Sequence, residues 1–185
     1  MLPAKVFEKP KPLASGDVCL DYAVLYVAML ADYVRASGDV ATGQELWPVA
    51  QRQLELVGRN VNEQGIVVIP DEVWVFIDWQ EDLEKTAAMH GVLLYCYRRG
   101  QELARTLGDA RSAAAYGKQI ETMTAAAKAA FYDSQRGVFV SGKDRQVSWA
   151  SQAWMVLAGV AAGQEAATAL QRAMDDPSSV PPGTP

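Results

Sequence analysis

The sequence has little of what marks several common classes of protein. Its 185 residues include two cysteines and one histidine, which disfavours both a disulfide framework and a His/Cys zinc site. No apolar run reaches the roughly 18 residues that a membrane-spanning helix needs. Lys and Arg total 17 against 22 Asp and Glu, and no basic cluster is present, which disfavours nucleic-acid binding. Nothing in the residues requires a cofactor.

The two ends of the chain differ in composition from the middle. Seven of the nine prolines lie near the ends, and proline disfavours regular structure because it lacks the amide donor. The first residues contain no apolar signal core, so the compartment stays open. We therefore predict an irregular segment over 1–16, a helical domain over 17–176 and an irregular tail over 177–185.

Six helices are predicted between these ends, from apolar spacing and from Gly and Pro positions. The even-numbered helices have one apolar stripe, as at Tyr116, Ile120 and Met123 in the fourth helix, whereas the odd-numbered ones are apolar on nearly every side. The odd helices are thus expected to be inner and the even helices outer. Short β segments are expected in the loops. The predicted helices cover 18–37, 40–60, 83–107, 110–131, 148–162 and 164–175.

An internal repeat connects the helices. Gly38-Asp39 follows the first helix and Gly108-Asp109 follows the third, 70 residues later. Gly65 and Gly137 occupy similar NEQGIVV and SQRGVFV segments, 72 residues apart. The repeat predicts an all-α fold of three stacked helical hairpins, which is either a short solenoid or about half of a closed six-hairpin (α/α)6 toroid.

Several segments resemble the catalytic domain of α-L-rhamnosidases of glycoside hydrolase family 78. They are DYAVLYVAMLADYV, FIDWQEDLEKTAA, LARTLGD, FYDSQRGVFV and QVSWASQAWMVLAG. The most specific part is the FIDW run, Phe76 to Trp79, followed by a Thr-Ala-Ala inner helix. The resemblance covers roughly 17–185. It implies an (α/α)6 toroid and inverting hydrolysis of terminal α-L-rhamnosides.

The sequence departs from the family pattern at the catalytic carboxylates. The family's general acid is a Glu in an Asp-x-x-x-x-Glu-Arg motif, which residues 1–17 do not contain. Its general base is a Glu expected in hairpins that would follow the sixth helix. Inversion needs both groups, about 6.5–9.5 Å apart. We therefore expect a partial catalytic domain that is inactive alone, and the catalytic residues are unknown.

The candidate site lies in the loop before the third helix. Indole rings stack on the C–H faces of sugars and carboxylates bind hydroxyl pairs, so Asp78 and Trp79 supply both groups and Trp74 adds a second platform. The resemblance also implies that Asp78 and Trp79 lie at the sugar pocket. Trp149, which opens the fifth helix, is a further candidate, whereas Trp154 is expected in the core. The alternative is that Asp78 caps the third helix and Trp79 is core.

Three other features have simpler interpretations. Asp21 lies in an apolar helix, and it is either a paired buried charge or a cap. His90 is expected to be a hydrogen-bonded core residue. The stripe formed by Tyr22, Tyr26 and Tyr33 is more typical of packing than of recognition.

The sequence fits two functions. The first is a rhamnosidase-like glycoside hydrolase whose partner is a carbohydrate. The second is a non-catalytic hairpin module that binds a glycan or a protein. The 19 residues of the 61–79 loop favour the first, because long loops commonly carry function. A half ring would also expose apolar edges, which predicts that the chain forms a homodimer through them or is poorly soluble.

Overall fold

The computed structural model describes residues 18–183. Within this range the chain forms six α-helices and one two-stranded antiparallel pair, in which Tyr132 faces Phe139. The predicted irregular segment over 1–16 lies outside the described residues. The elements are α1 (Leu20–Ser37), α2 (Val40–Gly58), α3 (Thr86–Thr106), α4 (Ala110–Phe131), β1 (Tyr132–Asp133), β2 (Val138–Phe139), α5 (Trp149–Leu157) and α6 (Gly163–Asp175).

The helices pair as three hairpins, α1 with α2, α3 with α4 and α5 with α6, and α3 also packs between α1 and α5. These three helices form the inner layer, as predicted. Helix α3 is the centre of the core, and fourteen of its residues are buried, His90 among them. At Gly91 the backbone of α5 comes so close that a Cβ atom would lie 2.8 Å from the carbonyl carbon of Trp154. The glycine thus allows the two inner helices to touch.

The repeated Gly-Asp pairs have the same structural role in both hairpins. Gly38 and Gly108 have φ angles of 72° and 79°, the left-handed conformation that ends a helix. The Asp that follows caps the next helix, since Asp39 accepts the N–H of Thr42 and Asp109 accepts that of Ser112, both at 3.0 Å. The repeat seen in the sequence is therefore a repeat of helix-to-helix turns.

The third turn lacks the Gly-Asp pair, and its glycine ends the fifth helix earlier than predicted. Gly159 has a φ angle of 70°, and the N–H of Val160 donates to the carbonyl of Met155 at 2.9 Å, which is a Schellman end. Helix α5 consequently ends at Leu157, so the predicted end at residue 162 is wrong. Residue Ala162 precedes α6 without a side-chain cap.

Two other predictions need correction. Helix α3 begins at Thr86, since residues 81–82 form a turn before it. The short β segments expected in the loops are present as the β1–β2 pair, whereas the segment 61–79, in which short strands were also expected, forms isolated bridges of Val61 with Val67 and of Trp74 with Cys19. The two outermost inner helices, α1 and α5, are partly exposed: Met29 of α1 is 66% exposed and Leu157 of α5 is 56% exposed. Among the described residues, each of these helices packs against another inner helix, α3, on one side only.

Candidate functional site

The loop between α2 and α3 is attached to the first turn of α1. The N–H of Leu20 donates to the carbonyl of Trp74 at 3.0 Å, and the ammonium of Lys85 donates to the carbonyl of Val75 at the same distance. The loop therefore crosses the end of the inner layer at which all three inner helices begin. Candidate residues from distant parts of the sequence meet there.

Asp21 is the main anchor of this loop. Its carboxylate is 2% exposed and accepts the N–H groups of Phe76 at 3.1 Å and Ile77 at 3.0 Å. The thiol of Cys19 donates to the same carboxylate at 2.7 Å. Burial, together with this carboxylate, raises the pKa of Cys19 to about 12, so the thiol keeps its proton. Of the two interpretations of Asp21, the paired buried charge is thus the one that the geometry favours.

The loop turns sharply at Ile77, which has a φ angle of 55°. This angle is rare for a β-branched residue. The N–H of Asp78 donates to the carbonyl of Phe76 at 2.6 Å and closes a three-residue turn around Ile77. Beyond this turn Asp78 lies along a cavity, while the Trp79 side chain is 63% exposed. The turn thus gives two neighbouring side chains different environments.

Four aromatic side chains form a continuous cluster at this end of the molecule. Phe76 is its centre, with its ring centroid 5.0 Å from that of Trp79, 5.8 Å from Tyr22 and 6.3 Å from Trp74. All three contacts are edge-to-face, a favoured arrangement of aromatic rings. The outer rings stay accessible, since Tyr22 is 46% and Trp74 is 40% exposed. We call these four residues the aromatic cluster.

Asp78 and Trp149 line a separate cavity of about 380 Å³ between the loop, α5 and α6. Asp78 is the acidic group in its lining, and Oδ1 accepts the N–H of Gly183 at 2.8 Å and that of Gln80 at 3.3 Å. The remaining wall is mostly apolar. It consists of Ile77, Ala150, Gln152, Ala153, Trp154, Leu157, Leu170, Ala173, Met174 and Pro182.

A polar network fixes the start of α3 against the loop before α5. Glu84 accepts the hydroxyl protons of Ser141 and Thr86, the latter at 2.7 Å. Ser141 in turn accepts the N–H of Ala87 at 2.9 Å, and Gln146 accepts that of Glu84 at 2.8 Å. Glu84 therefore stabilises the N-terminus of α3, where negative charge is favourable. The network thus joins the start of α3 to residues 141–146, which precede α5.

The four predicted site residues thus fall into two neighbouring groups. Trp74 and Trp79 belong to the aromatic cluster, and Asp78 and Trp149 line the cavity. Asp78 does not cap the third helix, because α3 begins after Lys85. Trp79 is not a core residue, because its side chain is exposed. Trp154 is half-buried, and it both packs against the core, as expected, and lines the cavity.

Sequence reasoning missed Phe76 as the centre of the cluster and assigned Tyr22 to packing. Nothing in their spacing connects them, since 53 residues of chain lie between the two. The prediction for His90 holds: it is fully buried, its Nδ1 accepts the N–H of Val67 at 3.4 Å, and its Nε2 lies 3.1 Å from the carbonyl oxygen of Met123.

Within residues 18–183, no group of three or more His, Cys, Asp or Glu side chains could hold a metal ion. In the same part of the chain no helix is both long and apolar enough to cross a membrane.

The three hairpins and the loops at one end of their inner layer define a class of protein, that of stacked helical hairpins. No protein-family model and no curated protein matches the chain. Solved structures do match. The chain is 40% identical to a rhamnosidase from Klebsiella oxytoca with rhamnose bound, with a TM-score of 0.90 over 100% of this chain.

A second structure agrees in fold. A rhamnosidase of glycoside hydrolase family 78 from Bacillus sp. GL1 is 18% identical, with a TM-score of 0.78 over 90% of this chain and 18% of that one. The resemblance to family 78 and to its (α/α)6 toroid is therefore confirmed. This chain spans 36% of the length of the Klebsiella oxytoca protein.

Proposed function

We propose that this chain forms the sugar-binding part of a glycoside hydrolase that cleaves terminal α-L-rhamnosides with inversion. The observation that carries the proposal is the 40% identity, over the whole chain, to a rhamnosidase with rhamnose bound. The described site supports it with the two kinds of group that sugars need. Exposed indoles offer stacking surfaces, and the Asp78 carboxylate lies beside an open cavity.

The three carboxylates with defined partners at the site, Asp21, Asp78 and Glu84, are suited to structure and binding rather than to acid–base catalysis. Inversion needs an acid and a base on opposite faces of the sugar. Asp21 is buried and occupied by backbone N–H groups, and Glu84 is occupied by two hydroxyls and the start of α3. Asp78 already holds two backbone N–H groups through one oxygen. We therefore expect this chain alone to bind a rhamnoside without hydrolysing it.

Calorimetric titration with L-rhamnose, together with an assay on an aryl α-L-rhamnoside, tests the proposal. The expected result is saturable binding without release of the aryl group. Trp79→Ala should weaken binding by about tenfold, because stacking on one indole contributes on the order of 1 kcal/mol or more. Val68→Ala is a matched control, since Val68 is also exposed but belongs neither to the aromatic cluster nor to the cavity wall. Equal affinity of both variants would contradict the assignment of Trp79.

A non-catalytic hairpin module remains the alternative. It predicts binding to a larger glycan or a protein with no preference for L-rhamnose over D-mannose or L-fucose. Competition among these three sugars in the same titration separates the two functions.

A further inference from the structure

The segment after α6 turns back to both loops of the candidate site. We call residues 177–183 the return segment. The N–H of Val180 donates to the carbonyl of Val147 at 2.9 Å, and its carbonyl accepts the N–H of Trp149 at 3.0 Å. Three residues later, the N–H of Gly183 donates to Oδ1 of Asp78 at 2.8 Å. The return segment therefore connects the start of α5 to the loop before α3.

Gly183 fits against this loop only because it has no side chain. A Cβ atom there would lie 2.6 Å from the carbonyl carbon of Trp79 and 3.0 Å from Oδ1 of Asp78, and it would also overlap the backbone nitrogen of Gln80. Two of these atoms are backbone, so they cannot move aside as a flexible side chain would. The close approach, and not an unusual φ angle, is what requires glycine at this position.

The contact with Gly183 determines how Asp78 is presented. Both backbone donors, from Gly183 and Gln80, reach the same oxygen, Oδ1. In residues 18–183 no hydrogen bond reaches the second oxygen, Oδ2. Asp78 also shares the cavity wall with Trp149 and with Pro182 of the return segment. A carboxylate held by one oxygen can offer the other to a hydroxyl group in the cavity.

We propose that Gly183 is a positioning residue of the sugar site, which orients the Asp78 carboxylate so that Oδ2 can accept a sugar hydroxyl beside Trp149. This inference rests on the function proposed above. It assigns the two oxygens of Asp78 different roles: Oδ1 accepts the backbone N–H groups of Gly183 and Gln80, and Oδ2 accepts the ligand's hydroxyl. It also makes the return segment part of the wall of the site.

Gly183→Ala tests the inference, with Pro181→Ala as the control, because Pro181 is exposed and does not line the cavity. Gly183→Ala should bind L-rhamnose about tenfold more weakly, with an unchanged urea unfolding midpoint and a shifted indole signal of Trp79 in the sugar-free protein. Pro181→Ala should match the original chain in all three measurements. Original affinity and an original Trp79 signal in Gly183→Ala would overturn the inference.

Amide hydrogen exchange at Gly183 separates this inference from the proposed function, since it needs no sugar. Asp78→Ala removes the acceptor and should speed exchange at Gly183 by about tenfold, whereas Asp78→Asn keeps an acceptor oxygen and should leave it slow. Unchanged exchange in Asp78→Ala would overturn the inference. If the original chain binds no L-rhamnose, the proposed function fails, and the ligand-free exchange and indole signals still decide whether Gly183 positions Asp78.

Discussion

At the scale of single residues, the buried carboxylate of Asp21 holds the candidate site in shape. Asp21→Asn keeps one acceptor oxygen but turns an amide NH2 group toward a backbone N–H, where two donors repel. We expect a loss of about 2 kcal/mol in the free energy of unfolding, together with faster proteolysis of the loop over 70–82. Urea unfolding and limited chymotrypsin digestion measure the two effects, since the loop offers Trp74, Phe76 and Trp79 as cleavage sites. Asp71→Asn, on an exposed residue of the same loop, is the control, and an equal loss in both variants would contradict the anchoring role.

His90 makes the stability of the chain depend on pH. Burial lowers the pKa of His90 to about 4, from an ordinary value near 6.5. Between these two values the unfolded chain binds more protons than the folded one, so stability falls as the pH falls. The loss from this residue is about 3 kcal/mol by pH 4 and is absent above about pH 7.5.

The comparison with His90→Gln isolates this effect. Glutamine retains an amide donor for the carbonyl of Met123 but does not titrate. Urea unfolding of both proteins between pH 7.5 and pH 4 should show their stability difference change by about 3 kcal/mol in favour of the variant. A difference that stays constant with pH would contradict a buried neutral imidazole.

The accessible site residues were partly predictable from sequence. Asp78 and Trp79 belong to the recognisable FIDW run, in which an indole and a carboxylate are adjacent. Phe76 and Tyr22 were not predictable as a pair, because their contact depends on how Asp21 folds the loop over α1. Gly183 was not predictable either, since only the packed backbone shows that a side chain would not fit there.

At the scale of the helices, the two Asp caps have different additional partners. Asp109 accepts the indole N–H of Trp47 at 3.0 Å and an amide N–H of Gln51 at 3.2 Å, so it also ties α2 to α4. Asp39 has the hydroxyl of Tyr33 as its additional partner, and that contact is exposed. We expect Asp109→Ala to cost about 2 kcal/mol, because the buried Trp47 loses its acceptor, and Asp39→Ala to cost clearly less.

Urea unfolding of both variants, with Asp109→Asn as a conservative control, measures this difference. Asparagine caps helices well and keeps an oxygen, so it should recover most of the loss. Equal losses for Asp39→Ala and Asp109→Ala would contradict the interhelical role of Asp109.

Helix positions were largely predictable and helix ends were less so. The Gly-Asp turns gave the ends of α1 and α3 and the starts of α2 and α4 within one residue, because the capping residues are local in sequence. The end of α5 depends on Gly159, which lies inside an apolar run and carries no polar signal beside it. The start of α3 depends on Glu84, whose partner Ser141 is 57 residues away.

At the scale of the whole molecule, both end hairpins expose apolar side chains. Met29 and Tyr33 lie on α1, and Leu157 and Met174 lie on α5 and α6. We expect the 185-residue chain to self-associate through these edges, because exposed apolar patches favour association. Light scattering at tens of micromolar protein should show a mass above that of one chain.

Charge substitution at the edges tests this expectation. Met29→Glu and Leu157→Glu should each lower the measured mass, whereas Val68→Glu, on an exposed loop position, should not. A monomer for the original chain would contradict self-association through the edges.

The hairpin architecture followed from the sequence because inner and outer helices differ in how many of their faces are apolar. The choice between an open arc and part of a ring did not follow, since both use the same local packing. The likeness to rhamnosidases of known structure decides it in favour of the (α/α)6 toroid.

The most direct test of the sugar site is a titration with L-rhamnose, observed through the indole N–H signals of the five tryptophans. Trp79, Trp74 and Trp149 lie at the candidate site, whereas Trp47 is 6% exposed and bonded to Asp109 beside a helix-to-helix turn, which makes it an internal reference. We predict saturable shifts for Trp79, Trp74 and Trp149 while Trp47 stays still. No shifts at saturating sugar, or equal shifts including Trp47, would contradict a rhamnose site at this end of the molecule.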